Sequence, residues 1–304
     1  MAETNPKPFL KWAGGKTQLL EEFANRIPNE LKNGEISTFV EPFIGGGAVF
    51  FYFNQKFSFE ECHIYDINEE LVLAYNVVKR DVDDLIDCLC NLTEKYLSMD
   101  EIGRKEFYYS IRDEFNQTKQ DINYKNYSKA WIPRACHLIF LNKTCFNGLF
   151  RVNSSGEFNV PFGRYKNPKI VYPDVLRADS QVLQNTKIHL ADFEKSSRYI
   201  KKDTFVYFDP PYRPLSNTAS FTRYSKDGFD DVEQQRLAEF YAKCDKKHAK
   251  LMLSNSDPKN TCINDEFFDI LYSKYNIERV PARRIINSDA SKRGEINEII
   301  VMNY

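Results

Sequence analysis

Asp209-Pro210-Pro211-Tyr212 is the stretch whose residue types and spacing best suit chemistry. Consecutive prolines fix an extended turn and remove two N–H donors. What remains is rich in acceptors, the Asp209 carboxylate and the Pro210 carbonyl, with the Tyr212 ring beside them. Such a set suits an aromatic amino group, which is a poor nucleophile because its lone pair is delocalised into the ring. Two acceptors on its hydrogens favour a pyramidal nitrogen and stabilise the charge that develops during attack. A stacked tyrosine holds the planar partner for in-line displacement at the methyl group of a sulfonium. That chemistry requires no metal, covalent intermediate or base of raised pKa, because the proton can leave after transfer. By chance alone the string would occur in about one of several hundred chains of this length, so its neighbours decide its weight.

The elements around it are of the right kind. Thr204 to Phe208 is a short apolar run that delivers Asp209 to the carboxyl end of a strand, the usual ligand edge of α/β sheets. Thr38 to Phe43 reads as another buried strand and runs into Phe43-Ile44-Gly45-Gly46-Gly47, where the backbone can approach a ligand closely. His63 to Ile67 is a further strand, and Asp66 at its end stands where such folds place the acid for a ribose diol. The third glycine of a dinucleotide fingerprint is missing, which argues against NAD. Lys11 to Lys16 offers a tight turn at Gly14-Gly15, a cation at Lys16 and a flat face at Trp12, but not the spacing of a phosphate-binding Walker loop. Taken singly, Trp12 also fits core packing and Lys16 a solvated lysine.

A helix is expected over Leu19 to Ile27. From 69 to about 174 the chain turns mostly helical, with apolar residues at helical spacing in Glu69 to Val78, Val82 to Tyr96, Lys105 to Phe115 and Trp131 to Asn142. Gln117 to Lys129 is polar and loop-like. Cys145 to Pro168, rich in Asn, Gly, Ser and aromatics, reads as a β-ribbon or ordered loop. The α/β pattern then resumes with Lys187 to Ala191, the Asp209 strand, a helix over Asp231 to Cys244 and Lys250 to Ser254, and Ile277 to Ile286 and Glu298 to Met302 supply closing antiparallel strands. The expected fold is α/β, a doubly wound, Rossmann-like mixed sheet with a helical and β-hairpin insertion. Residues 1–68 and 175–304 would form the catalytic domain and 69–174 a recognition domain.

Composition sets outer bounds. The 304 residues include 42% hydrophobic and 28% charged, as in an ordinary globular core-forming protein. Aromatics reach 14% and net charge is −1, so any affinity for nucleic acid must be local. Seven scattered Cys and four dispersed His give no disulfide framework and no zinc spacing, and no secretory leader is apparent. The expectation is a cytoplasmic protein with reduced thiols and no metal. No apolar run approaches the roughly 18 residues of a membrane span.

In that order, Lys11 to Lys16, the Phe43 loop and Asp209 to Tyr212 resemble the adenine-specific DNA methyltransferases of the Dam and DpnII type. The resemblance runs over nearly the whole chain and is weakest from about 69 to 130. It implies a class I fold and S-adenosyl-L-methionine bound by Trp12, Lys16, Phe43, Gly45, Asp66 and Asp209, with Asp192 at the cofactor adenine. Catalysis would fall to Asp209, Pro210, Pro211 and Tyr212. Phe107 to Arg112 also looks like a family segment, though its spacing is that of an ordinary helix.

Residues 142–170 carry five basic side chains against one acid, Glu157, with aromatics between them. Residues 279–293 repeat that excess around Asp289. Basic charge serves phosphates, Arg can read guanine, and an aromatic wedge can fill the place of a flipped base. Either cluster alone also fits a solvated surface, and the phenylalanines fit a core. Asn147 to Arg151 and Glu157 to Lys166 resemble the family's target-recognition hairpin in GATC-specific members. The resemblance implies Arg151 as guanine reader, Leu149, Pro161 and Tyr165 along the base edges, and Asn147, Arg164 and Phe146 in the DNA contact. Phe146 stands where the family often has Tyr, so that hydroxyl is absent. Ser216 to Tyr224 resembles the segment that closes over a flipped adenine.

The expected partner is double-stranded DNA, methylated at N6 of adenine by a monomer or weak dimer. The enzyme would be an orphan or would work alongside a restriction endonuclease. An RNA or other amino-group methyltransferase is the rival, opposed by the hairpin motifs and the motif order. A DNA-binding module with a relic cofactor fold is a second, opposed by the intact Asp209 to Tyr212 and Lys16.

Overall fold

The computed structural model describes residues 4–213, 229–283 and 295–304. Seven strands form a mixed sheet in the order β3-β2-β1-β4-β5-β7-β6: β1 Thr38–Glu41, β2 Glu61–Asp66, β3 Thr186–Leu190, β4 Thr204–Phe208, β5 Lys250–Ser256, β6 Asn276–Arg283 and β7 Glu295–Met302. The helices are α1 Leu20–Ala24, α2 Asn29–Lys32, α3 Ala48–Lys56, α4 Glu69–Arg80, α5 Val82–Leu97, α6 Glu101–Gln117, α7 Trp131–Thr144, α8 Pro173–Leu183, α9 Asp231–Asp245 and α10 Phe267–Leu271. The expected mixed α/β sheet with a helical insertion after its second strand is present. No helix among the described residues is long and apolar enough to cross a membrane.

The chain divides into two compact units. One comprises Met1–Gly15, Gly45–Gln55 and Asp66–Leu190, the other Lys16–Ile44, Lys56–Tyr65 and Ala191–Tyr304. In the second unit β1 pairs parallel with β4, β4 parallel with β5, and β7 antiparallel with both β5 and β6. All five residues of β4 are buried, which explains why its sequence is a continuous apolar run rather than an alternation. Val206 and Phe208 pack there with Leu251, Leu253, Ile299, Val301 and the α9 residues Leu237, Phe240 and Tyr241. The chain leaves β1 toward β2 but meets β4 on its other side, so the carboxyl ends of β1 and β4 form the crevice where open α/β sheets place ligands.

The first unit is mainly helical. The N-cap Asn68 accepts from the Glu70 and Leu71 N–H groups and starts α4 directly after Asp66. A buried ion pair then fixes α4: Glu70 takes the Arg134 guanidinium of α7 and accepts from the Tyr124 hydroxyl at 2.6 Å. Breaking such a pair costs about 3–5 kcal/mol, because a buried charge is left alone. These contacts hold the helix that begins three residues after Asp66 and carries Tyr75.

Candidate active site

β4 brings Asp209 to the edge of the sheet, where its carboxylate meets the Lys16 ammonium at 2.5 Å. Lys16 is 3% exposed and Asp209 21% exposed. The same ammonium lies 4.6 Å from the centroid of the Tyr212 ring. Ser254 of β5 shares a 2.7 Å hydrogen bond with the Tyr207 hydroxyl. Burial pushes the Asp209 carboxyl up to about 6, although Lys16 and Ser254 pull it down. Burial alone would lower the Lys16 ammonium, but Asp209, Tyr212 and Glu298 together hold it well above its ordinary range.

The turn that follows is pinned from outside. Gln234 of α9 donates to the Pro211 carbonyl at 3.1 Å. Arg213 binds Asp231 and Asp265 at 2.6 and 2.7 Å and lies over the Phe267 ring. Among the described residues no hydrogen bond reaches the Pro210 carbonyl. The Pro210 carbonyl is therefore an open backbone acceptor among the described residues, next to a carboxylate already fixed by Lys16. Tyr212 donates to Glu298 of β7 at 2.5 Å, a partner that the sequence patterns did not single out.

Phe43, half-buried just beyond β1, packs on Phe193 and edge-on to Phe229, with centroids at 5.3 and 5.7 Å. Asp192 caps the short helical turn that follows it by accepting from the Glu194 N–H. Arg236 of α9 grips both of its carboxylate oxygens, at 2.9 and 2.8 Å. Burial opposes ionisation of Asp192, but Arg236 and the backbone keep its pKa below the usual range. Arg236, like Glu298, carries no motif and went unread.

In the first unit, the Gly45 N–H donates to Asp66 at 3.2 Å and the Asn68 N–H donates to its other oxygen at 2.9 Å. Burial pushes Asp66 up to about 6 against these N–H groups. Trp12 stacks on Phe150 with centroids at 5.3 Å, so one of its faces is occupied. A Cβ at Gly45 would come within 3.0 Å of the Trp12 indole. One at Gly47, where φ is +75°, would lie 2.5 Å from the Tyr75 hydroxyl. The loop is thus glycine-rich because the protein's own aromatics close on it.

The Cys145 to Pro168 segment is an ordered loop joined by two single bridges, Cys145 to Phe162 and Val152 to Phe158, and not a full ribbon. Phe150, Phe158 and Phe162 are core, whereas Phe146 is 53% exposed. Asn147, Arg151, Pro161 and Arg164 are also exposed, and Leu149 and Tyr165 are half-buried. The Asn147 N–H donates to the Tyr165 hydroxyl at 3.0 Å, and Asn147 and Arg164 both adopt positive φ. Arg151 donates through Nε to Asn159 at 2.8 Å, which orients its guanidinium in advance. Asn142 clamps the Lys11 backbone at 2.8 and 2.9 Å and the Gly148 carbonyl at 3.0 Å, and the Lys11 ammonium lies over the Tyr165 ring. Lys143 is only half-exposed, and burial lowers it to about 8.

In the second basic cluster, Arg279 is tied to Asp257 and Asp269. Arg284, Asp289, Lys292 and Arg293 lie outside the described residues, as does Ser216 to Tyr224.

The family model for D12 class N6 adenine-specific DNA methyltransferases matches residues 12–286. The chain is 53% identical over 299 residues to the type II methyltransferase M.MjaIII of Methanocaldococcus jannaschii, spanning 98% of this chain and 99% of that one. It is 37% identical over 302 residues to the type II methyltransferase M1.LlaDCHI of Lactococcus lactis subsp. cremoris, spanning 99% and 96%. It is 34% identical over 297 residues to the DNA adenine methylase of Escherichia coli strain K12, spanning 97% and 95%. Matches of this extent, on this sheet, place the chain in a family: it belongs to the D12 class of N6 adenine-specific DNA methyltransferases.

Proposed function

We propose that this methyltransferase takes its methyl group from S-adenosyl-L-methionine and delivers it to an adenine flipped out of duplex DNA, at GATC. The observation that carries the reading is the pairing of a fixed Asp209 carboxylate with a Pro210 carbonyl that has no partner among the described residues, beside the Tyr212 ring. Neither acceptor can reach the amino group of an adenine stacked inside a duplex, so the base must leave the stack. Asp209 and Pro210 take its hydrogens, and Tyr212 supports its ring.

The residues suit a sulfonium nucleoside. Among the described residues Asp66 is held by backbone N–H groups alone and keeps lone pairs for ribose hydroxyls. Trp12, Lys16, Phe43, Gly45, Asp66, Asp192 and Asp209 are the proposed contacts. Once bound, the cofactor supplies an electrophilic methyl group for in-line attack.

In this reading 1–68 and 175–304 carry the chemistry and 69–174 the recognition of DNA. Arg151 reads a guanine, Leu149, Pro161 and Tyr165 follow the base edges, and Phe146, Asn147 and Arg164 complete the contact. The relatives named type II methyltransferases support a cognate restriction endonuclease as the functional partner. Incubating the protein with duplex DNA and labelled cofactor, then mapping the methylated base, tests all of this. Label on N6 of adenine within GATC is expected, and label spread over unrelated contexts would overturn the specificity.

A further inference from the structure

Glu298 has no place in the acceptor geometry, yet it is 5% exposed and stands at the chemical edge of the second unit. It reaches that edge on β7, opposite Ser256 of β5. Its Oε1 accepts from the Tyr212 hydroxyl at 2.5 Å, and among the described residues its Oε2 has no hydrogen-bond partner. A buried carboxylate oxygen without a partner is expensive, so a carboxylate used only for packing would be a poor choice at this position.

Tyr212 follows two prolines and precedes a pinned Arg213, so its backbone is fixed, but its side chain must still choose a direction and a ring plane. The bond to Glu298 at the para position sets the direction. The Lys16 ammonium over the ring covers one face. With that face taken, an adenine that stacks on Tyr212 must use the other.

We propose that Glu298 is a positioning residue for methyl transfer: it holds the Tyr212 ring through its phenol, with one face against Lys16 and the other presented to the target adenine. This rests on the reading that Tyr212 stacks on that base. Glu298 acts through Tyr212 and not on the reacting atoms, so its effect must vanish when the phenol is absent.

The test uses the full-length protein with two duplexes: one with adenine at the target, on which kcat is read, and one with 2-aminopurine in its place, which lacks the 6-amino group and reports stacking by the quenching of its fluorescence. Glu298→Ala is expected to lower kcat by about tenfold, as a misplaced support does, with DNA affinity changed less than about twofold. It should also raise the 2-aminopurine signal. Glu298→Gln, whose amide oxygen accepts the same bond, should restore most of the rate and the quenching. Tyr212→Phe should lose a similar factor, and adding Glu298→Ala to it should cost less than about twofold more. An equal loss from Glu298→Ala in both backgrounds, or an unchanged rate and quench, overturns the proposal. If Glu298→Ala does not fold, Glu298→Asp keeps the charge, withdraws the oxygen by one methylene and carries the same cycle. Tyr212→Ala separates the two levels: if it leaves the quench untouched, stacking itself fails, whereas if it abolishes the quench while Glu298→Ala does not, only the role of Glu298 fails.

Discussion

At the scale of single residues the proposed reaction turns on Asp209, whose ionised form would accept from the amino group. With burial pushing it up to about 6, the carboxylate fraction, and with it the methylation rate, should fall about tenfold for each pH unit below that value. The sign for stability is opposite. A carboxyl raised in the folded state binds its proton there first, so between about pH 6 and the ordinary value of 3.8 protonation of Asp209 favours the fold. Single-turnover rates and thermal unfolding measured across that window should therefore diverge, and parallel loss of both would refute the assignment. Asp209→Ala should abolish methylation with circular dichroism unchanged. Lys16→Met should move the acid limb upward by leaving two carboxylates without their cation. It should also cost about 2–3 kcal/mol, less than a fully buried pair because Asp209 is still 21% exposed. Lys16 was readable as a cation for a carboxylate. That the carboxylate is the protein's own, 193 positions away, was not.

The elements that position these residues were legible in unequal measure. β4 over Thr204–Phe208 and α9 from Asp231 followed directly from an apolar run and an amphipathic period. α3, with Val49, Phe50, Phe51 and Phe53 buried, shows no period, because a helix buried on several sides gives none. α8 carried a start signal in Pro173 at its first turn that went unused. Of the two readings of Cys145 to Pro168, β-ribbon or ordered loop, the loop holds, with two bridges, because its backbone groups are satisfied elsewhere, as where Asn153 accepts from the Ser155 and Glu157 N–H groups. The glycine loop makes a prediction at this scale. Gly47→Ala forces a positive φ on alanine and a contact with Tyr75 and Phe51, and should destabilise by about 2–4 kcal/mol. Combining it with Tyr75→Phe should cost less than the sum of the two single changes in denaturant unfolding, since the offending hydroxyl is gone. Strict additivity would show that the clash is not the cause.

For the whole molecule, the sequence shows a net charge of −1 and hides how the cations are disposed. Of the five basic residues in 142–170, Lys143 is withdrawn, while Arg151, Arg164, Lys166 and Lys169 remain exposed. Glu298 was hidden for a related reason: at the head of the apolar run Glu298 to Met302 an acid reads as the exposed start of a strand, until the fold shows it inside β7, paired on both sides. The exposed cations differ in their surroundings. Arg164, Lys166 and Lys169 are suited to phosphates and should give log affinity a slope of about −3 against log salt, each alanine substitution removing about one unit of it. Arg151 is pre-oriented by Asn159 and suited to a base edge. Arg151→Ala should leave the salt slope nearly unchanged and reduce discrimination at one guanine by about 1–3 kcal/mol. Titrating both variants against cognate and single-substituted duplexes at several salt concentrations separates the roles. If Arg151→Ala weakens all sequences equally and flattens the salt dependence, the arginine binds phosphate, and the base reader must be sought elsewhere on the loop.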